Sequence, residues 1–256
     1  MQTDELSDLK PGLEIPFSAC KGVEDTLQKY LKRSPHNPWV FIHDISLEDV
    51  RHLNDNFQTS SRSDYYIDLR LAIFYLKVAS YDHEWPITQF TKLMNRRLQS
   101  ANITDSDYSW MMNRRFSGLR REKPPDGAFF PMEYAPRNAW PVLTMEVGVS
   151  ETLPQLRRDA IWWLRQSLDI KYVLLFNLDI SQQTILLEVW ERIRALEPQT
   201  TQSNHTVLDP APAQTITMSS NGVNGSLSLS IDSLLGRTGS GNITFGQQLI
   251  QLLPPP

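Results

Sequence analysis

The chain has 256 residues, 40% hydrophobic and 21% charged, a balance that suits a globular protein with one sizeable domain and a smaller addition. Net charge is −4 and the pI near 5.8, so the molecule as a whole does not attract nucleic acid, and any polyanion contact must come from a local patch. The single cysteine, Cys20, excludes an internal disulfide and a cysteine-based zinc site. With no apolar run near the roughly 18 residues of a membrane span and an acidic opening, MQTDELSDLK, that lacks the apolar core of a secretory signal, the expectation is an intracellular protein, cytoplasmic or nuclear, without membrane contact.

Residues 1–63 read as an extension of short helices and loops. Val23 to Lys32 and Leu47 to Phe57 have amphipathic spacing, and Ser46 is placed to cap the second helix ahead of Asp49. Between them Pro35, Pro38 and the run Trp39-Val40-Phe41-Ile42 indicate a turn and a short strand, and the polar QTSSRSD a loop. A core is expected over 64–196. Tyr65 to Val78, rich in β-branched and aromatic residues, fits a strand pair or a single helix, since periodicity alone does not separate the two. Pro86 then opens a helix to about Leu98, with Ile87, Phe90, Leu93, Met94 and Leu98 at helical spacing.

Strands are expected at Trp110 to Leu119 and Gly127 to Pro131, and most strongly at Pro141 to Val147. Leu153 to Ser167 reads as a helix, with Thr152 and Gln155 in a capping-box pattern and Leu153, Leu156, Ala160, Trp163 and Leu164 as its buried stripe. Tyr172 to Leu178 is the continuous apolar run of a strand covered on both faces. Thr184 to Trp190 is another strand, or the start of a helix through Ile193. A strand–helix–strand unit over 141–178 requires a parallel crossover. The fold class is therefore α/β (α+β), a central mixed sheet flanked by helices. Beyond it, 197–225 reads as a flexible polar linker and 226–256 as a C-terminal β appendage.

Glu146 sits inside the apolar run Val142 to Val147, where a carboxylate has to be hydrogen-bonded, paired or bound to a cation. Asp126 lies twenty residues earlier, just before a strand. If those strands are neighbours, the two carboxylates can converge on an oxygen-rich site suited to Mg²⁺ or Mn²⁺, with Glu84 as a third acid. Such an ion polarises a phosphodiester and activates water. Arg157 and Arg158 are the nearest groups for phosphate or developing charge.

Several segments together carry a resemblance: LAIFYLKVASYDHEWPITQF, KPPDGAFFP, WPVLTMEVGVSETLPQLRRDAIWWL, IKYVLLFNL and SLSIDSLLGRTGSGNITFGQQL. They resemble a fungal group of restriction-endonuclease-like proteins in the PD-(D/E)XK phosphodiesterase superfamily, over about Tyr65 to Leu249. The resemblance implies a nuclease-like fold acting on DNA or RNA. It implies Asp126 as the Asp of the PD element, Glu146 as the acid of the (D/E)XK element and Glu84 as the acid of the first core helix. The motif lysine falls on Gly148, which implies either a degenerate phosphodiesterase or a basic group moved to the next helix, where Arg157 and Arg158 stand. Arginine stays protonated and is a poor general base.

Each of these residues also has a plainer reading. Glu146 can be structural, accepting from loop amides or from an arginine; Asp126 can cap a turn with Gly127; His83 can be a hydrogen-bonded core or surface histidine. Trp162 and Trp163 are adjacent on a helix, so only one faces the core squarely. Arg114, Arg115, Arg120, Arg121 and Lys123, with Trp110 and Phe116 interleaved, either track a phosphate backbone or form the solvated face of a strand. The alternative to an enzyme is an inactive nuclease-like domain kept as a binding or protein-interaction module.

Overall fold

The computed structural model describes residues 13–19, 22–23, 25–26, 29, 39–46, 48–49, 63–68, 73–78, 81–112, 114–118, 121–132, 139–149, 152–194, 208–237 and 241–255. In chain order its elements are β1 (Leu13–Pro16), β2 (Trp39–His43), β3 (Ser63–Asp68), β4 (Ile73–Val78), α1 (Tyr81–Ser100), β5 (Tyr108–Met111), β6 (Phe116–Ser117), β7 (Arg121–Lys123) and β8 (Gly127–Pro131). There follow β9 (Leu143–Gly148), α2 (Leu153–Gln166), β10 (Tyr172–Asp179), β11 (Thr184–Arg194), β12 (Leu208–Ser219), β13 (Gly222–Asn224), β14 (Leu227–Ser230), α3 (Ile231–Leu235) and β15 (Asn242–Phe245), with a closing 3-10 turn at Gln247–Leu252.

These divide into two compact units, residues 1–84 with 112–126 and residues 85–111 with 127–256. The partition differs from the expected 64–196 core, because β3 and β4 share a sheet with β1, β2, β6 and β7 and not with β8 to β11. The first unit holds a six-stranded sheet in the order β1-β2-β4-β3-β7-β6, with β1 and β2 parallel. Its β3–β4 hairpin, Ser63 opposite Val78, makes Tyr65 to Val78 a strand pair and not a helix. Ser46 accepts from the Asp49 amide at 3.0 Å and donates to the Asp49 carboxylate at 2.6 Å, the expected cap. Most of the two helices expected around it lies outside the described residues.

The second unit is a seven-stranded mixed sheet in the order β13-β12-β11-β10-β9-β8-β5. Only β9 and β10 are parallel, Glu146 opposite Leu175, as a crossover through α2 requires. Alternation gives this sheet two unlike faces. Leu143, Met145 and Val147 of β9 and Leu174 and Phe176 of β10 point to the face covered by α1, where Phe90 meets Phe176 and Phe245 at ring distances of 5.7 and 5.6 Å. Thr144 and Glu146 point to the other face, covered by α2 through Leu156, Ala160, Trp163 and Leu164.

Five further expectations are corrected here. The first helix begins at Tyr81, so Pro86 is inside it and not at its first position, and the bond that an amide there would make to the Asp82 carbonyl is missing from the ladder. Thr152 makes no side-chain cap, and Gln155 is instead buried and bonded to Arg158. The strand expected over Trp110 to Leu119 is two short ones, β5 and β6, in different sheets. Residues 208–224, expected in a flexible linker, form β12 and β13; Ile216 and Met218 bury one face of β12 while its threonines face outward, and a one-sided strand needs no more apolar residues than that. The expected C-terminal appendage is likewise core: Leu227, Leu229, Leu234, Leu235, Ile243, Phe245, Leu249 and Leu252 join the α1-side cluster. β13 pairs only with Thr217, Met218 and Ser219, so the earlier part of β12, which includes Pro210 and Pro212, is a sheet edge among the described residues.

Candidate functional site

β8 and β9 are antiparallel neighbours, Gly127 opposite Met145, as the sequence expectation for Asp126 and Glu146 requires. Glu84 and Asp126 belong to the first unit and Glu146 to the second. In the first unit Asp126 follows Pro124-Pro125 and is 9% exposed. Its Oδ2 lies 3.0 Å from Nε2 of His83, itself buried in the opening turn of α1. One polar atom of each buried side chain is thus hydrogen-bonded, as burial demands of it. Glu84, next to His83 in that turn, is only half-buried.

In the second unit Glu146 is 1% exposed. Its Oε1 accepts from the indole Nε1 of Trp163 at 2.5 Å, across 17 residues of sequence. The helix α2 supplies this donor because Trp163 falls on its buried stripe, which leaves Trp162 half-exposed. A second buried acid, Glu188, occupies the same cross-strand row: Glu146 pairs with Leu175 and Leu175 with Glu188. Glu188 accepts from Nε1 of Trp190 at 2.8 Å and from Arg157 at 3.1 and 2.5 Å. That forked bond holds Arg157 above its ordinary pKa. Sequence reasoning passed over Glu188, although its setting between Leu187 and Val189 repeats the pattern that drew attention to Glu146.

Arg158 donates through Nε and Nη2 to Oε1 of Gln155, at 3.2 and 2.6 Å. The two arginines expected to reach phosphate therefore hold side chains of their own unit. A third, Arg192, closes the C-terminal end of α2, donating to the carbonyls of Leu164, Ser167 and Ile170; burial lowers its pKa. Such a cation satisfies carbonyls that a helix end leaves without intrahelical partners.

The basic run of the first unit is split by burial. Arg121 and Lys123 are 8% and 7% exposed, on one face of β7, with Glu122 between them on the other. Arg114 and Arg115 are half-exposed, Arg114 lying 5.1 Å from the Phe116 ring centroid. Arg120 lies outside the described residues. Among the described residues, no three His, Cys, Asp or Glu side chains stand together as a set that could hold a metal ion.

Comparison with known proteins adds little to this geometry. No family model matches the chain. No curated protein matches it either. One solved structure that resembles it is the crystal structure of a candidate nuclease of the DUF820 family from Anabaena variabilis, at 14% identity and a TM-score of 0.41, covering 61% of this chain and 90% of that one.

Proposed function

We propose that this chain is a nuclease-like protein that engages nucleic acid without efficient phosphodiester hydrolysis. The resemblance of its sequence segments points to the nuclease class. The observation that carries the loss of turnover is the setting of Glu146. The acid that such a site would use is 1% exposed and tied to Trp163. Two residues on, Gly148 has no side chain with which to activate water. Arg157 and Arg158, the nearest replacements, are engaged with Glu188 and Gln155, and as arginines neither serves as a general base. Arg114 and Arg115 supply the expected phosphate contacts.

A second reading keeps hydrolysis. In it Glu84, Asp126 and Glu146 hold Mg²⁺ or Mn²⁺ and Arg158 stabilises the developing charge. What supports it is the resemblance of the sequence segments to metal-dependent phosphodiesterases. One experiment separates the two. Wild type and Glu146→Ala are assayed on labelled DNA and RNA with Mg²⁺ and Mn²⁺ titrated, and binding is followed by fluorescence anisotropy as salt is raised. The expected result is salt-sensitive binding with no metal-dependent cleavage by either protein. Cleavage by wild type that is lost in Glu146→Ala establishes the second reading. Absence of binding at low salt removes both.

A further inference from the structure

The three tryptophans at Trp140, Trp162 and Trp163 form one cluster within the second unit. Trp162 meets Trp163 edge-on at 4.8 Å between ring centroids, and Trp140 lies 6.4 Å from Trp162 and 6.2 Å from Trp163. Trp163 is buried and occupied with Glu146, whereas Trp140 and Trp162 both keep exposed surface. Large apolar rings left partly in water need a reason, and the charges beside them supply one. Arg158, Trp162 and Arg165 follow one another at i, i+4 and i+7, so they share a stripe on the outer face of α2. Arg165 is exposed and Arg158 half-exposed. The only acid in the helix, Asp159, is on the buried face. The outward charge of α2 is therefore wholly positive, in a protein whose net charge is −4.

An exposed cation beside partly exposed aromatic rings matches the chemistry of a single strand of nucleic acid. Its phosphates take the guanidinium groups, and its unpaired bases have faces free to stack on the indoles. A duplex keeps those faces inside its own stack and offers only phosphates. We infer that the outer face of α2, with Trp140 beside it, is a contact surface for single-stranded nucleic acid, with Trp162 and Trp140 as stacking rings and Arg165 as the phosphate contact. The inference rests on the reading of this chain as a nucleic-acid-engaging protein, and adds to it the strand state of the ligand and a second set of residues.

The test uses the full chain with fluorescein-labelled oligo-dT, oligo-rU and a blunt duplex of the same length, read by anisotropy at several salt concentrations. Wild type is expected to bind the single strands more tightly than the duplex. Trp162→Ala is expected to weaken single-strand binding about tenfold and duplex binding little, with Trp162→Phe keeping most of the affinity. Arg165→Glu, at an exposed position that folding does not need, is expected to weaken both and to lower the salt slope by about 1. Unchanged melting temperature and circular dichroism certify the fold of each variant. Single-strand binding that survives Trp162→Ala and Arg165→Glu, but falls in Arg114→Glu/Arg115→Glu, overturns this inference and leaves the broader reading standing. Equal affinity of wild type for duplex and single strands also overturns it. No binding of any probe removes both.

Discussion

The two faces of the seven-stranded sheet are built on opposite terms. On the α1 side every strand contributes aliphatic or aromatic side chains, and the C-terminal strands and α3 complete a dry cluster. On the α2 side the same strands place Thr144, Glu146 and Glu188 out of water, and the helix answers Glu146 with Trp163 and Glu188 with Arg157. Apolar burial is non-directional, so the first face tolerates any filling of the right volume. The second depends on named donors meeting named acceptors, and its polar groups are costly unless each is satisfied.

That contrast predicts a graded set of effects. The largest belongs to the dry face: Phe176→Ala is expected to cost about 3–5 kcal/mol, read from the midpoint of urea unfolding, because the hole it leaves beside Phe90 is not refilled. Nucleic-acid binding per folded molecule is expected not to change. On the polar face, Trp163→Phe keeps most of the ring but takes away the N–H that Glu146 uses, and about 1.5–3 kcal/mol should be lost. Glu146→Gln retains an acceptor for that N–H, and its cost should stay under about 1 kcal/mol. Equal losses in these two variants would mean that the charge of Glu146, and not its tie to Trp163, matters to the fold. Arg192→Met withdraws the cation from the end of α2 while keeping much of the side-chain volume, and a loss of about 1–2 kcal/mol is expected, with hydrogen exchange rising first at the last turn of the helix.

The smallest effect is a control away from both faces. Asp107 is held down to about 2, first by the Arg237 guanidinium at 2.5 Å and then by Thr104. A carboxyl depressed on folding contributes stability that is fully present above its unfolded pKa of about 3.9 and lost as pH falls toward its folded value. Arg237→Gln should therefore raise the Asp107 titration seen by NMR and cost a little stability at neutral pH, a difference from wild type that shrinks as pH falls between about 4 and 2. A loss that persists below about pH 2 would show that Arg237 does more than hold Asp107.

How much of this the sequence carries depends on the range of the interaction. The strands at Gly127–Pro131, Leu143–Gly148 and Tyr172–Asp179 are legible because each is a nearly unbroken apolar run, and a strand buried on both faces has to be one. The burial of Glu146 follows from the same pattern. What satisfies it does not: Trp163 reaches it across the sheet–helix interface, and nothing local in either segment encodes the meeting. Glu188 shows the cost of stopping at one instance of a pattern, since its flanks announce burial as clearly as those of Glu146. The strand β12 fails for the reverse reason. Its prolines, glutamine and threonines carry the composition of a linker, and only the alternation of Ile216 and Met218 betrays a face that is buried. The C-terminal elements have the apolar spacing of a core, but spacing cannot say which sheet they cover.

Pro210 and Pro212 have one further consequence. They occupy alternate positions, so the amide hydrogens they lack are missing from one and the same side of β12. Proline within a sheet is accommodated where that side faces away from the ladder. A second copy of the protein arriving edge-on would find acceptors there, but gaps where donors should be. An exposed strand of this length is ordinarily a template for fibril growth. Here it has a built-in stop, and exchanging both prolines for threonine should turn a sheet that ends into one that can be extended.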